Sequence, residues 1–419
     1  MQQLFQLKFK DLWLAFKEQH IVFWCVSGYL FIEYVRPQSI ITSIDILPWA
    51  QIFMVFTLLG ILAEKNKPKV NATIGTLMIA YFILILISSS LAYDSSYAFS
   101  EVKDYYIWLL TYLVIVYSVT NSQRFYIFIV LFILFSFKIS LFGAKTWALR
   151  GFAFTKWGLM GPPGFFENSG ELSIQMLVLF GVSYFFAKAI IPHTSKIMGF
   201  ILMSVPITAL MTILGASSRG AQLALVVQCL FIYKWQKLSI KYLLLGVVVV
   251  TLAYQFLPEE QKERFSSSGE DKTSIQRLLY WEHGIEMIKE NPVFGVGFRN
   301  FAPYYNDHFP SDVLFGSAQL PHNIFIEIGT DAGIAGLFVI LLLIFMQLRA
   351  NVRLRRECDL SDASDNFYYN MSRGLDLALV GFLVAGQFVT VTYYPFFWVN
   401  LALVTALNTA FYNDKKLNK

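Results

Sequence analysis

Charged residues are scarce in this sequence. Only 15% of its 419 residues are Asp, Glu, Lys or Arg, whereas 56% are hydrophobic and the mean hydropathy is +0.54. Soluble domains average about 25% charged and about 45–50% apolar residues. The scarcity of charge therefore excludes an ordinary soluble domain and favours helices embedded in lipid. The net charge of +5 does not indicate nucleic-acid binding, because most basic residues lie in short segments between apolar runs.

Cysteines and metal-binding motifs are also rare. Of the three cysteines, Cys25 and Cys229 lie in apolar runs and Cys358 lies in a basic loop. An odd number without close spacing predicts neither a disulfide framework nor a zinc site. The sequence has no HExxH motif, no Asp-x-Asp pair and no Walker loop. We therefore expect no metal and no cofactor. The few charges within apolar runs lie near helix ends, which argues against a buried proton relay.

Twelve apolar runs are candidates for membrane-spanning helices. A span needs about 20 mostly apolar residues, and the short runs near 105–119 and 220–235 are consistent with tilted or partly interfacial helices. The first run lacks a small-residue cleavage site, so we expect a helix that is retained in the membrane rather than a signal peptide that is cleaved off. The runs lie near 20–35, 46–63, 73–92, 105–119, 124–143, 171–191, 197–214, 220–235, 240–257, 329–348, 375–393 and 396–412.

The basic residues orient these runs. When the N-terminus is placed in the cytoplasm, dense Lys and Arg clusters fall on the inner side along the whole chain, at 65–69, 234–241, 349–356 and 415–416. Cytoplasmic loops carry an excess of Lys and Arg in membrane proteins. We therefore predict that both termini are cytoplasmic. Short outer loops carry one basic residue each, namely Arg36, Lys103 and Arg219.

The predicted architecture is an all-α, polytopic membrane bundle of about 12 transmembrane helices. Residues 1–257 form helices one to nine, with an outer loop near 144–170, and residues 258–322 form a large outer loop. Residues 323–419 form helices ten to twelve, with a basic inner loop at 349–374. Long loops are usually functional or disordered. Aromatics, glycines and paired charges in the outer loops favour function.

The large outer loop contains a predicted amphipathic helix. Thr273 and Gln276 match a capping box, and apolar residues then recur at helical spacing until Pro292 ends the pattern. Gly295 and Gly297 predict a tight turn after it. We expect the helix to lie on the membrane surface or to cap the bundle.

Three residues on the outer side are candidates for chemistry. Arg219 begins an apolar run, where it either binds an anion beside free backbone N–H groups or reaches lipid phosphates at the interface. Arg277 lies near the start of the loop helix and is either a phosphate ligand or a solvated surface residue. His322 precedes another apolar run, and it is either a general base, since its ordinary pKa is near neutrality, or a structural residue.

Four local patterns surround these residues in a fixed order. The patterns are Ser218-Arg219-Gly220-Ala221, Arg277-Leu-Leu-Tyr-Trp281 followed by Ile288-Lys-Glu-Asn-Pro292-Val-Phe-Gly295-Val-Gly297, Pro321-His322-Asn323, and Gly329-Thr-Asp-Ala-Gly333-Ile-Ala-Gly336. The ordered set, from about residue 215 to 340, resembles the superfamily of O-antigen ligases and O-antigen polymerases, which are bacterial glycan-assembly membrane proteins.

The resemblance implies a metal-independent, inverting glycosyl transfer at the periplasmic face of the inner membrane. The donor would be a glycan on undecaprenyl pyrophosphate. The acceptor would be the lipid A core for a ligase, another lipid-linked glycan for a polymerase, or a protein in some relatives, and the patterns do not separate these. By the same resemblance, Arg219 and Arg277 would hold the pyrophosphate and His322 would be the general base.

Further residues on the outer side are candidates for contact with the glycan or the acceptor. Aromatic faces and amide, carboxylate or guanidinium groups suit sugars, although the 144–170 loop is equally interpreted as an aromatic belt at the interface. These candidates are Trp147, Arg150, Trp157, Glu167, Asn168, Arg299, Tyr304, Tyr305 and Asn323.

Two other classes of function compete with glycosyl transfer. A transporter or lipid-glycan flippase would carry polar residues at mid-helix on several spans and broken helices at the midplane, and the sequence offers little of either. A non-catalytic scaffold would use the basic loop at 349–374 to bind anionic lipid or a partner. Topology alone accounts for the charges of that loop.

Overall fold

The computed structural model of the chain describes residues 2–65, 68, 70–155, 157–241 and 271–417, together with residues 244, 246, 248, 251 and 255. All regular secondary structure in these residues is helical. The α-helices are α1 (Phe9–Lys17), α2 (Ile21–Val35), α3 (Pro37–Ile40), α4 (Trp49–Ala63), α5 (Thr73–Ser90), α6 (Ser95–Glu101), α7 (Lys103–Ser118), α8 (Ser122–Leu149), α9 (Ser169–Ile190), α10 (Lys196–Gly215), α11 (Arg219–Gln236), α12 (Lys272–Glu290), α13 (Phe301–His308), α14 (Ile324–Glu357), α15 (Ala363–Ala385) and α16 (Pro395–Leu417).

Helices overlap the predicted apolar runs throughout the described part of the chain. Five of these helices are long and apolar enough to cross a membrane, namely α5, α8, α9 extended to His193, α10 and α14. Many of their apolar side chains are exposed, such as Phe200 at 78% and Phe338 at 66%, as expected for a surface that faces lipid. The all-helical membrane class is therefore confirmed, while the count of twelve remains a prediction. The ninth run, 240–257, lies mostly outside the described residues.

Helix α9 is the centre of the bundle. It packs along α15 and α10, and it is buried over most of its length. At its crossing with α15, Gly181 faces Gly374, and a Cβ on either residue would touch the other helix's backbone. Small residues allow helices in lipid to approach closely. Gln228 of α11 links α9 to α15, because its Nε2 donates hydrogen bonds to the carbonyl oxygens of Leu177 (3.1 Å) and Leu377 (2.8 Å).

The loop after α12 is inserted into a kink of α14. Gly333 interrupts that helix with φ 64° and ψ −163°, and the N–H of Ile334 donates to the carbonyl oxygen of Pro292 at 2.8 Å. The N–H of Val296 donates to Thr330 O, also at 2.8 Å. A Cβ on Gly295 or Gly333 would collide with backbone atoms of the opposite segment. Glycine at these two positions therefore allows the backbone of the loop after α12 to contact the backbone of α14 closely.

Substitution of Gly333 by alanine should destabilise the protein. A left-handed backbone costs an L-residue about 1–2 kcal/mol, and the new methyl would meet the carbonyl of Val293. We expect a clear fall in the apparent unfolding temperature in detergent. The control is Gly316→Ala, because a Cβ at Gly316 meets nothing within 4 Å. Equal unfolding temperatures for the two variants would contradict the close contact.

The segment 272–320 has a core of its own. Tyr280 packs edge-on against Tyr305 with ring centroids 4.9 Å apart, and Met287, Val296, Phe301 and Ala318 complete this buried cluster. Helix α12 has the predicted span, but the predicted capping box is wrong. Asp271 is the N-cap, and its Oδ1 accepts the N–H of Ser274 at 3.0 Å.

Gln276, which was predicted to form the capping box with Thr273, does not cap the helix. Its side chain is buried within the 272–320 segment. Its Nε2 donates to the carbonyl oxygen of Asp312 at 2.9 Å, and its Oε1 accepts the N–H of Leu314 at 2.5 Å. Gln276 therefore fixes the loop that follows α13 against α12.

Candidate functional site

Backbone contacts hold His322 in a defined place at the mouth of α14. Its φ of 53° lies in the left-handed region, which is uncommon for a residue other than glycine. On one side, the indole N–H of Trp281 donates to Pro321 O at 3.0 Å. On the other, Asn323 is the N-cap of α14, and its Oδ1 accepts the N–H groups of Phe325 and Ile326. The Pro-His-Asn pattern is therefore a helix start that presents an imidazole.

Polar groups and one cation surround the imidazole. Its Nδ1 lies 3.0 Å from the Thr390 hydroxyl, and its Nε2 lies 3.4 Å from Gln319 Oε1. Burial and, secondarily, the positive charge of Arg277 lower the pKa of His322 from 6.5 to about 4. The ring is therefore neutral at pH 7, and one nitrogen carries a lone pair that can accept a proton.

Arg277 projects from α12 beside this histidine. Its Nε is buried and has no hydrogen-bond partner among the described residues. Burial first, and then the nearby charge of Arg219, lower the pKa of the Arg277 guanidinium, while Asp271 opposes the shift. Two cations and an unsatisfied buried N–H in one place suit an anionic ligand, because guanidinium groups bind phosphate oxygens bidentately.

Arg219 is the first residue of α11 and lies near the start of α12. Its guanidinium nitrogen is 3.4 Å from Asp271 Oδ2, with both side chains about one third exposed. Because Asp271 also caps α12, this carboxylate links Arg219 to the helix that carries Arg277. The structure thus brings Arg219, Arg277 and His322 into one neighbourhood, although the three residues together span more than 100 positions of the sequence.

Phe388 lies where α11 and α12 approach each other and contacts both helices. It lies in the loop between α15 and α16, residues 386–394. A Cβ on Gly220 would collide with its ring, so glycine beside Arg219 lets α11 approach this loop. The Trp281 ring lies 6.3 Å from Phe388, and Thr390, two residues later, contacts His322.

A cavity of about 440 Å³ opens beside His322. Ligand sites in proteins typically measure about 300–1,000 Å³, so this space fits one or two sugar rings. Its walls combine three carboxylates, one arginine, two tyrosines and the imidazole. The lining residues are Tyr97, Glu101, Asp104, Glu171, Arg299, Ala302, Ala318, Gln319, Leu320, His322, Thr390 and Tyr394.

Arg299 is the one arginine in this wall, and carboxylates surround it. Its NH2 lies 2.7 Å from Asp104 Oδ2, and its NH1 lies 2.7 Å from Oε1 of the fully buried Glu327. Its backbone N–H donates to Asp331 Oδ1 at 3.0 Å, and its guanidinium carbon lies 4.8 Å from the Tyr393 ring centroid. Burial lowers the pKa of Arg299, but the neighbouring carboxylates together outweigh burial and raise it. Arg299 is therefore a fixed cation that ties the loop to α7 and α14.

Three other predicted contact residues, Tyr305, Asn323 and Trp147, make packing or capping contacts and do not line the cavity. Tyr305 is fully buried in the core of the 272–320 segment, and Asn323 is used as a helix cap. Trp147 is 9% exposed and packs against Phe152 with ring centroids 5.1 Å apart. The contact of these three side chains with a glycan remains a prediction.

The other predicted contact residues lie nearer the surface, outside the cavity wall. Tyr304 stacks on His308 with ring centroids 3.8 Å apart. Asn168 is the N-cap of α9 in a capping box with Glu171. The remaining residues, Arg150, Trp157 and Glu167, are exposed. Of the nine predicted contact residues, Arg299 is the one that lines the cavity.

Sequence reasoning missed two parts of the site. The loop 386–394 was included in the apolar run 375–393, whereas α15 ends at Ala385. The carboxylates Glu101, Asp104 and Glu171 belong to three different helices, yet they line one cavity. The polar sequence Thr390-Val-Thr392 next to Pro395 was a signal for the loop, while nothing local foretold the meeting of the carboxylates. Among the residues that the structure describes, no group of three or more His, Cys, Asp or Glu is arranged to hold a metal ion.

Comparison with known proteins agrees with the ordered patterns. Residues 204–341 match the family described as O-antigen ligase. This segment contains Arg219, Arg277, His322 and the loop–kink contact between residues 292–297 and Gly333. A search of curated proteins found no match. The resemblance predicted from the four patterns is confirmed: over residues 204–341, the chain is similar to the O-antigen ligase family.

Proposed function

We propose that the protein is a metal-independent, inverting glycosyltransferase of the O-antigen ligase type. It transfers a glycan from undecaprenyl pyrophosphate to an acceptor hydroxyl, that of the lipid A core, at the periplasmic face of the bacterial inner membrane. Both termini are then cytoplasmic. One observation carries the proposal: Arg277 and Arg219 lie together beside a neutral His322 that lines a sugar-sized cavity.

The two arginines supply what a departing diphosphate requires. As the bond between the sugar C1 and the phosphate oxygen breaks, negative charge accumulates on the pyrophosphate. Cations placed beforehand where this charge develops lower the barrier, and they do so most strongly where water is excluded. Arg277 has a buried N–H without a partner among the described residues. Arg219 shares Asp271 with α12, and a phosphate oxygen can take the place of that carboxylate.

His322 supplies the base. An acceptor hydroxyl in the cavity attacks C1 from the face opposite the pyrophosphate, which inverts the anomeric centre, and its proton passes to the neutral imidazole. The Thr390 hydroxyl at 3.0 Å and Gln319 at 3.4 Å orient the ring. A neutral histidine can accept the proton, whereas a charged one cannot.

The proposal predicts transfer without added metal. When the purified chain is reconstituted with a glycan on undecaprenyl pyrophosphate and an acceptor, we expect a new glycosidic bond of inverted configuration. One undecaprenyl pyrophosphate should be released per bond. Activity should persist in excess EDTA, because arginines take the place of a divalent cation. Product analysis by mass spectrometry and NMR checks all three expectations.

Two outcomes would contradict this proposal. Strict dependence on an added divalent cation would exclude the arginine-only mechanism. Translocation of the lipid-linked glycan across the vesicle without new glycosidic bonds would indicate a flippase. Deletion in the native host separates the ligase from a polymerase, since free lipid-linked polymer accumulates without a ligase and single repeats accumulate without a polymerase.

A further inference from the structure

The cavity beside His322 is strongly acidic. Glu101 at the end of α6, Asp104 in the first turn of α7 and Glu171 in the first turn of α9 all line it. Arg299, the one arginine in the wall, is already paired with Asp104 and with Glu327. The carboxylates therefore outnumber the cations, and the cavity presents net negative charge to a ligand.

The acidic side chains keep free capacity to accept hydrogen bonds. The contacts of Asp104 with Arg299 use Oδ2, and those of Glu101 with Ser100 and Lys103 use Oε1. Among the described residues, Asp104 Oδ1 and Glu101 Oε2 have no hydrogen-bond partner. Sugar hydroxyls and ammonium groups are donors that such oxygens bind, whereas phosphates and carboxylates are acceptors that they repel.

Glu171 is held rigidly in the same wall. It is 6% exposed, its Oε1 accepts from the Tyr394 hydroxyl at 3.0 Å, and its Oε2 accepts the N–H of Asn168 at 3.2 Å. Tyr394 also lines the cavity, as does Tyr97 on the side of Glu101. Carboxylates beside aromatic rings are a usual combination for holding a sugar ring, because the ring faces are apolar and the edges donate hydrogen bonds.

His322 has charged groups of both signs near it. It lines the cavity and also lies close enough to Arg277 for that charge to act on it. Since Arg277 does not line the cavity, an anion such as a diphosphate is favoured near Arg277 and is repelled by Glu101, Asp104 and Glu171 within the cavity.

We propose that the cavity is the acceptor site and that its charge selects the acceptor: a sugar that is uncharged or carries an amine enters, and one with a phosphate or carboxylate near the reacting hydroxyl is rejected. This inference rests on the proposed function, which gives His322 its role next to the acceptor. The polarity also keeps the donor's diphosphate from occupying the cavity in the wrong orientation.

Binding of three monosaccharides that differ in one substituent tests the selection. Glucosamine, N-acetylglucosamine and glucuronic acid are titrated into the purified protein in detergent, and their Kd values are measured by saturation-transfer NMR. We expect glucosamine to bind at least about tenfold more tightly than glucuronic acid at low salt, with N-acetylglucosamine between them. The difference should shrink in high salt, because screening weakens the repulsion.

Binding to variants tests whether the preference for glucosamine over glucuronic acid arises in this cavity. Glu101→Gln should reduce the preference for glucosamine over glucuronic acid several-fold. Its matched control is Glu282→Gln, which removes an exposed carboxylate of α12 outside the cavity wall and should leave the preference unchanged. Ala302→Phe fills the cavity, so all three sugars should lose binding while the unfolding temperature stays close to that of the wild type.

Equal affinity for glucosamine and glucuronic acid in the wild-type protein would overturn the inference even if glycan transfer is observed. Binding that survives Ala302→Phe would overturn it as well, because the sugars would then bind elsewhere. Conversely, selective binding abolished by Ala302→Phe supports the charged cavity in a preparation that transfers no glycan. In that case the proposed function fails instead.

Discussion

Replacement of His322 by alanine should lower kcat/KM for glycan transfer by about 10²–10⁴-fold, the usual contribution of a positioned general base. The neutral imidazole lines the cavity that we propose for the acceptor, and it contacts Thr390 and Gln319. Without it, the attacking hydroxyl must lose its proton to water. The measurement is initial-rate kinetics on the reconstituted protein, with donor and acceptor varied separately.

The control for this variant is His20→Ala, which removes an exposed histidine at the start of α2. Its transfer rate should match the wild type. Both variants should keep the wild-type unfolding temperature, because the backbone at 321–323 is held mainly by Trp281 and by the Asn323 cap. Full activity of His322→Ala in correctly folded protein would exclude its role as the base.

The sequence predicted the large features of the fold because these depend on local properties. Apolar runs and basic clusters gave the helical membrane class, and helical periodicity gave α12 within one or two residues. The exact ends of helices were harder to predict from sequence. The capping box at Thr273 and Gln276 fitted the pattern, but Asp271 offered a stronger N-cap, and Gln276 was needed at the loop 312–314.

Segments between spans were less predictable. Residues 386–394 look apolar enough to extend a helix. In the structure, the Ile324 N–H donates to Gly386 O at 3.0 Å, and Thr392 donates to Glu327 at 2.5 Å. Bonds to a different helix therefore decide that α15 stops at Ala385. A pattern of single residues carries no information about such long-range partners.

The acidic cavity illustrates the same limit at the site. Glu101 and Asp104 lie about 70 positions from Glu171, and each has an ordinary local setting near a helix end. Their convergence follows from the packing of α6, α7 and α9 around Arg299 and Tyr394. By contrast, Arg219, Arg277 and His322 could be proposed from sequence because each lies in a short pattern that resembles a known superfamily, and the structure places them near one another.

Substitution of Arg277 by glutamine should also have a large effect, a fall in kcat/KM of about 10²–10³-fold, comparable with the loss of one preorganised donor from a charged transition state. Arg277→Lys should restore part of the activity, because lysine keeps the charge but loses the planar fork that grips two phosphate oxygens. The matched control is Lys289→Gln, which removes an exposed charge from the far end of the same helix. Its rate should be unchanged.

Arg277→Gln should also change the pH dependence of kcat/KM. A variant that only disturbs the structure would lower kcat/KM without shifting this dependence along the pH axis. A general base loses activity as the pH falls through its pKa, and in the wild type the pKa of His322 is lowered to about 4 by burial and by Arg277. The acidic limb of the wild-type profile should therefore lie well below pH 6.5. Removal of the Arg277 charge raises the pKa of His322, so the limb of kcat/KM moves to higher pH in Arg277→Gln and stays near the wild-type position in Arg277→Lys. An unshifted limb in Arg277→Gln would show that the guanidinium does not act on the imidazole.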